Sequence, residues 1–197
     1  MANVFAFHSV GNSIATFLQN TYPPTLAGRS LPQCTFAPIS SGELAADTGP
    51  TDTRVMLYLY RVTVNEHSRQ TRMPSRPNAT LVPLGMDLHF LLFPWADTAE
   101  EELVTFAWAM RQLHQFPLLD ASSLSPEAGW SADEVVQIVP AELEVEEIMR
   151  VWDAIEKPYR LSTSYVARVV RLDPDTSVDS LPVVASRFAY GAAEAPV

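Results

Sequence analysis

Asp87 and His89 stand two residues apart in the apolar stretch 84–95. In a β-strand that spacing places both side chains on one face. A carboxylate beside an imidazole is the minimal arrangement for proton transfer. The alternative is a half-buried polar pair inside an apolar strand, and the surrounding sequence favours it. His8, His67 and His114 form no HxH or HExxH spacing with one another or with His89, so no metal set is apparent. His114 continues the core stripe of a helix and reads as a structural histidine. Cys34 is the single cysteine, which excludes an intrachain disulfide and CxxC chemistry. It lies on a strand candidate with no base nearby, so a nucleophilic role has no support. The 7 glycines form neither GxGxxG nor GxxxxGK(S/T), and there is no GxSxG elbow. Glu100, Glu101 and Glu102 cluster at a helix start, where the helix dipole favours them. Nothing here gives positive ground for a catalytic, cofactor-binding or metal site, and a non-enzymatic role is expected.

Composition narrows the partners. The 197 residues suit one domain with a short appendage. Hydrophobic residues make up 47% and charged residues 18%, a balance that implies a sizeable core. The formal net charge is -10, with 13 Lys and Arg against 23 Asp and Glu, and Lys157 is the only lysine. Nucleic-acid phosphates and anionic membranes both demand the opposite sign, so neither is an expected partner. No apolar run approaches the ~18 residues of a membrane span. The N-terminal stretch lacks a basic leader and reads as a mature helix, not a signal peptide. Cytoplasmic assembly is expected.

Helices and strands must position these residues. Apolar periodicity predicts a helix over 3–19, with Val4, Phe7, Val10, Gly11, Ile14, Phe17 and Leu18 on one stripe, ended by Pro23 and Pro24. Strands are expected at 33–40, 54–66, 84–95, 134–140 and 161–172, and an edge strand at 183–184. The pair 54–66 and 84–95 should be antiparallel across the polar segment 67–82. A second helix should run over 97–115, capped by Asp97 with Glu100, its inward stripe Leu103, Phe106, Ala107, Met110 and Leu113. A third should span 144–155, with Ile148, Val151, Trp152 and Ile155 inward. Segment 41–53 reads as loop, and 118–130 as loop with at most one turn. The sum is an α/β (α+β) fold, a mixed, largely antiparallel sheet packed by about three helices.

Three features face outward in this reading. Trp108 falls about 140–150° from the centre of its helix stripe, which makes it either an interface anchor or a residue covered by another element of the domain. Charge is segregated. Arg69, Arg72 and Arg76 occur with no acid between Ser68 and Pro83, whereas residues 127–147, including Glu142, Glu144, Glu146 and Glu147, hold no Lys or Arg. Such segregation marks either complementary faces of a head-to-tail assembly or two solvated surfaces. The segment Ser186–Val197 carries Phe188 and Tyr190 among small residues, a composition suited to ordering on a partner.

Five stretches together carry a family resemblance. They are LYLYRVTVNEHSR (57–69), MDLHFLLFPWADTAEEE (86–102), AWAMRQLHQFPLLDASSL (107–124), WSADEVVQIVPAELEVEEIMRVWDAI (130–155) and YRLSTSYVARVVRLDP (159–174). In order, spacing and content the chain resembles the cap, or tail-terminator, family of extracellular contractile injection systems of the virulence-cassette and antifeeding-prophage type. The resemblance implies a fold like that of phage tail terminators. It also implies a six-fold ring that sits on the last layer of the inner tube, binds the end of the sheath, stops polymerisation and fixes particle length. It brings no cofactor and no catalytic residue. Residues 1–174 would form the cap domain and 175–197 a C-terminal arm. The arm and the segment 67–82 are the expected donors of an added strand. Some relatives carry a further domain, so contacts made by that domain are in doubt here. Glu144 stands where a Ser or Thr cap is usual, which leaves that helix start less firmly fixed. The alternative function is an adaptor that recruits cargo or another partner to the particle.

Overall fold

The computed structural model describes residues 2–46, 52–65 and 83–173. The first helix, α1 (Ala6–Thr21), is followed by a short hairpin, β1 (Thr25–Leu26) and β2 (Arg29–Ser30). The hairpin turn uses Ala27 and Gly28 at φ 51° and 78°, the left-handed pair that matches strand twist in a two-residue turn. Next come β3 (Thr35–Ile39), α2 (Ser41–Ala45), β4 (Arg54–Val64) and β5 (Leu84–Trp95). Then α3 (Ala99–Gln115), β6 (Leu118–Asp120), a 3-10 turn (Pro126–Ala128), β7 (Val135–Ala141), α4 (Val145–Ala154) and β8 (Thr163–Leu172) complete the order.

Six strands form one sheet in the order β3-β4-β5-β8-β7-β6. Only β3–β4 is parallel; β4–β5, β5–β8, β7–β8 and β6–β7 are antiparallel, the first of these as expected. Strand β5 is central and apolar on both sides. Leu88, Phe90 and Leu92 face one layer with α1 and α3; Leu91 and Phe93 face the other with Leu44 of α2 and Trp152 of α4. A strand buried on both faces must be apolar at successive positions, which is why 90–93 does not alternate. The result is a helix–sheet–helix sandwich of mixed α/β type.

Local chemistry explains what sequence reading missed. Ser40 and Glu43 form a capping box: the Glu43 N–H donates to Ser40 Oγ and the Ser40 N–H to Glu43 Oε2. That box turns part of the expected loop 41–53 into α2. The cap of α3 is Thr98, whose Oγ1 accepts from the Glu101 N–H, rather than Asp97. Strand β6 and the 3-10 turn occupy what was read as loop. The segment 67–82 and the expected strand at 183–184 lie outside the described residues.

Helix α1 differs in its polar side. Ser9 and Ser13 are buried, not exposed. Ser9 Oγ donates to the Ser125 carbonyl and accepts from Trp130 Nε1, while Ser13 Oγ accepts from the Ser125 N–H. These hydroxyls staple α1 to the 3-10 segment and satisfy its backbone. Val4 lies before the helix and is exposed.

Helix α4 ends with Glu156 in the left-handed region at φ 60°. Its N–H donates to the Asp153 carbonyl, and the Lys157 N–H to that of Trp152. A β-carbon in that conformation costs about 1–2 kcal/mol, part of which glycine gives back as chain entropy. Glu156→Gly is therefore expected to stabilise the domain by about 0.5–1 kcal/mol. A Tm unchanged or lowered in a thermal melt would contradict this.

Candidate functional site

The possible proton-transfer pair is divided between separate hydrogen bonds. Both Asp87 carboxylate oxygens accept from Asn65 Nδ2 at 3.0 Å, and His89 Nε2 lies 3.1 Å from Thr63 Oγ1. The bulge between Leu59 and Arg61 sets β4 so that Thr63 is opposite Asp87 and Arg61 opposite His89. Burial, and then the Arg61 guanidinium, hold the His89 imidazole below its ordinary pKa, with Arg168 adding to the shift and Asp87 opposing it. Neutral at pH 7, His89 packs edge-on against Tyr60, with ring centroids 6.0 Å apart. The pair is a bonded part of the sheet face, the alternative its sequence context favoured.

Cys34 is buried, and burial pushes its thiol up to about 12, so little thiolate forms at neutral pH. It lines a surface hollow of about 600 Å³ with Tyr22, Pro24 and Asp52, but no histidine faces it there. Among the described residues no group of three His, Cys, Asp or Glu side chains is placed to hold a metal ion. His114, expected in the core, is an exposed residue in the last turn of α3.

The outward features fare differently. Trp108 is not an exposed anchor: it is 4% exposed, and another part of the same domain covers it. Its ring meets Tyr22 edge-on at 4.8 Å and Phe36 at 5.8 Å. Helix α3 is rolled by about 100–120° from the expected stripe, given ~100° per residue. Thr105, Phe106, Trp108, Ala109, Gln112 and Leu113 face inward, whereas Leu103 and Met110 are 56% and 36% exposed. One indole, filling the gap between two aromatic rings, outweighs two aliphatic side chains left at the surface. Thr105 follows at little cost, since its hydroxyl donates to the Glu101 carbonyl within the helix.

Glu142, Glu144, Glu146 and Glu147 are exposed around the start of α4. The Glu147 carboxylate accepts from the Glu144 N–H at 3.2 Å, so the helix start is tied by a side chain of its own first turn. None of the four makes an ion pair among the described residues. Arg69, Arg72, Arg76, Phe188 and Tyr190 lie outside the described residues.

A second basic patch was not singled out in the sequence. Helices α2 and α4 cover the sheet only over the half built from Met56, Tyr58, Leu91, Phe93 and Trp95. On the remaining half of that face Arg61 and Arg168 flank His89. Both arginines are exposed and Gln137, opposite Arg168, is exposed too. The two arginines stand on different strands and come to one face only through the register of the sheet.

The family model described as the Pvc16 N-terminal domain matches residues 9–186 of the chain. Two solved structures share its fold. One is the PVC sheath/tube terminator of an extracellular contractile injection system, in its extended state. It superposes with a TM-score of 0.57 at 14% identity, over 96% of this chain and 64% of that one. The other is the tube-terminating cap of the anti-feeding prophage, with a TM-score of 0.55 at 12% identity, over 92% of this chain and 60% of that one. The chain thus spans less than two thirds of the length of these solved chains. No curated protein sequence matches it significantly.

Proposed function

The chain belongs to the Pvc16 N-terminal domain family, the cap or tail-terminator family of extracellular contractile injection systems, and on that premise we propose that it is a structural cap subunit. In this reading the subunits close into a six-fold ring on the last layer of the inner tube and bind the end of the sheath. The ring stops polymerisation and so fixes particle length. Residues 1–174 act as the cap domain and 175–197 as an arm that contacts a neighbour. Assembly takes place in the cytoplasm, and the subunit then remains with the particle.

The observation that carries the reading is the extent of the family match, which runs from within α1 to beyond β8. The site adds support. Asp87 and His89 are tied into the sheet by hydrogen bonds, and the exposed glutamates at the start of α4 and the exposed Arg61 and Arg168 of the sheet form clusters of opposite charge, a pattern suited to assembly. Arg69, Arg72, Arg76, Phe188 and Tyr190 remain proposed contact residues on the same reasoning.

The test is deletion of the gene from its particle cluster, followed by measurement of tube and sheath lengths by negative-stain electron microscopy. Broad or unbounded lengths, or sheaths that fall apart, are expected. A sharply defined normal length would refute the cap and favour an adaptor that loads cargo.

A further inference from the structure

Arg61 and Arg168 pose an electrostatic question that the fold itself does not answer. They stand on either side of His89, exposed, with no ion pair among the described residues, in a chain whose net charge is -10. Two like charges converging on one spot are unfavourable until an anion faces them. Asp87, the acid nearest in the sheet, accepts from the neutral Asn65 amide and forms no ion pair with either arginine. Glu134 is near Arg171 instead, further along β8.

The same molecule carries the matching charge. On α4, Val145 and Met149 are 67% and 47% exposed, one helical turn apart, with Glu146 beside them. Glu142 and Glu144 extend the acidic rim. Arg150, the only cation of the helix, is turned to a hollow beside Tyr58 and Tyr60. An apolar pair rimmed by unpaired carboxylates has the composition of an interface core with a polar border. Within one chain these groups do not meet, because Trp152 pins α4 over the other half of the sheet face.

We infer that the outer side of α4, with Glu142, Glu144 and Glu146, docks on the Arg61–Arg168 sheet face of a second copy of this chain. The contact joins two different surfaces, so it propagates from copy to copy and needs closure to end, as a ring does. It rests on the proposed ring for the presence of that neighbour, and it names the surfaces involved. Charge sets the register and the encounter rate; Val145 and Met149 supply the dry centre.

The test uses the full chain in four forms: wild type, Arg61→Glu with Arg168→Glu, Glu142→Arg with Glu146→Arg, and all four changes together. Assembled fraction is measured by mass photometry and sedimentation at low and raised salt. Wild type is expected to assemble, with assembly weakened by salt. Each charge reversal should lower the assembled fraction at least tenfold, and the fourfold variant should recover it. Circular dichroism melts check that the variants fold; Arg61→Gln with Arg168→Gln is the milder substitute should a reversal unfold, and should still lower assembly several-fold. A monomeric wild type, reversals that assemble normally, or a folded fourfold variant without recovery would each overturn the interface. If the charge-reversed chains still restore normal particle length in the deletion strain, the interface fails and the cap reading stands.

Discussion

Trp108→Ala is expected to destabilise the isolated subunit by about 3–5 kcal/mol, the cost of deleting a fully buried large aromatic and leaving a cavity. Trp108 is held between Tyr22, which follows α1, and Phe36 on β3, so its removal loosens α1, β3 and α3 together. The Tyr22 hydroxyl donates to the Pro32 carbonyl at 2.8 Å, which limits how far that ring can collapse into the void. Leu103→Ala and Met110→Ala on the same helix should change stability by less than about 1 kcal/mol, since both side chains already touch water. Urea titration of the three variants reads the difference directly. A reversed order, with Leu103→Ala and Met110→Ala the costlier, would mean that α3 packs by the stripe its sequence suggests, with the indole outside. The experiment also separates two roles for Trp108, because an interface anchor would leave the monomer's stability unchanged.

Trp152→Ala should have a comparable total cost of about 3–5 kcal/mol but a different distribution. Trp152 is the only fully buried residue of α4. It stacks edge-on against Phe93 at 5.1 Å, and its Nε1 donates to Ser162 Oγ at 3.1 Å. A helix of 10 residues is marginal without tertiary support, so losing this anchor should release α4 while the sheet and α1 persist. Amide hydrogen exchange should show lost protection over 145–154 with β5 still protected. Uniform loss of protection across the sheet would show instead that α4 and the core open as one unit. Trp108 and Trp152 lie in separate clusters on opposite faces of the sheet, so their effects should add.

Strands β3, β4, β5, β7 and β8 and the three longer helices were legible because their signals are local and repeated. The apolar strands expected at 54–66 and 84–95 stand next to each other as β4 and β5. The caps were legible only in part. Ser40 and Glu43 have capping spacing, yet Gly42 and the polar residues beyond it drew the reading towards loop. The roll of α3 was not legible. A helix with Leu103, Phe106, Met110 and Leu113 on one side and Trp108 on the other offers two nearly equivalent stripes. The choice is made by Tyr22 and Phe36, which no local pattern connects to Trp108. Likewise Ser13 falls on the polar side of its helix until its partner, Ser125, is brought over it. The Arg61–Arg168 face depends on register across three strands, which only the folded sheet reveals. The family resemblance was carried by the order and spacing of stretches between 57 and 174, and the family match covers residues 9–186.

The strand order has a consequence for how the chain becomes a folded subunit. The central pairing joins β5 to β8, with Leu84 opposite Leu172, and the Asp173 N–H donates to the Ala2 carbonyl beside it. The middle of the sheet therefore closes only after two helices and two strands have been passed over, and the two ends of the described chain are tied at the same place. Contacts this remote in sequence slow the search, and folding on a scale of milliseconds to seconds is the consequence. Until β8 arrives, β5 presents a long apolar edge able to pair with any other strand nearby. The interval between synthesis of β5 and synthesis of β8 is therefore the period of greatest exposure to mispairing.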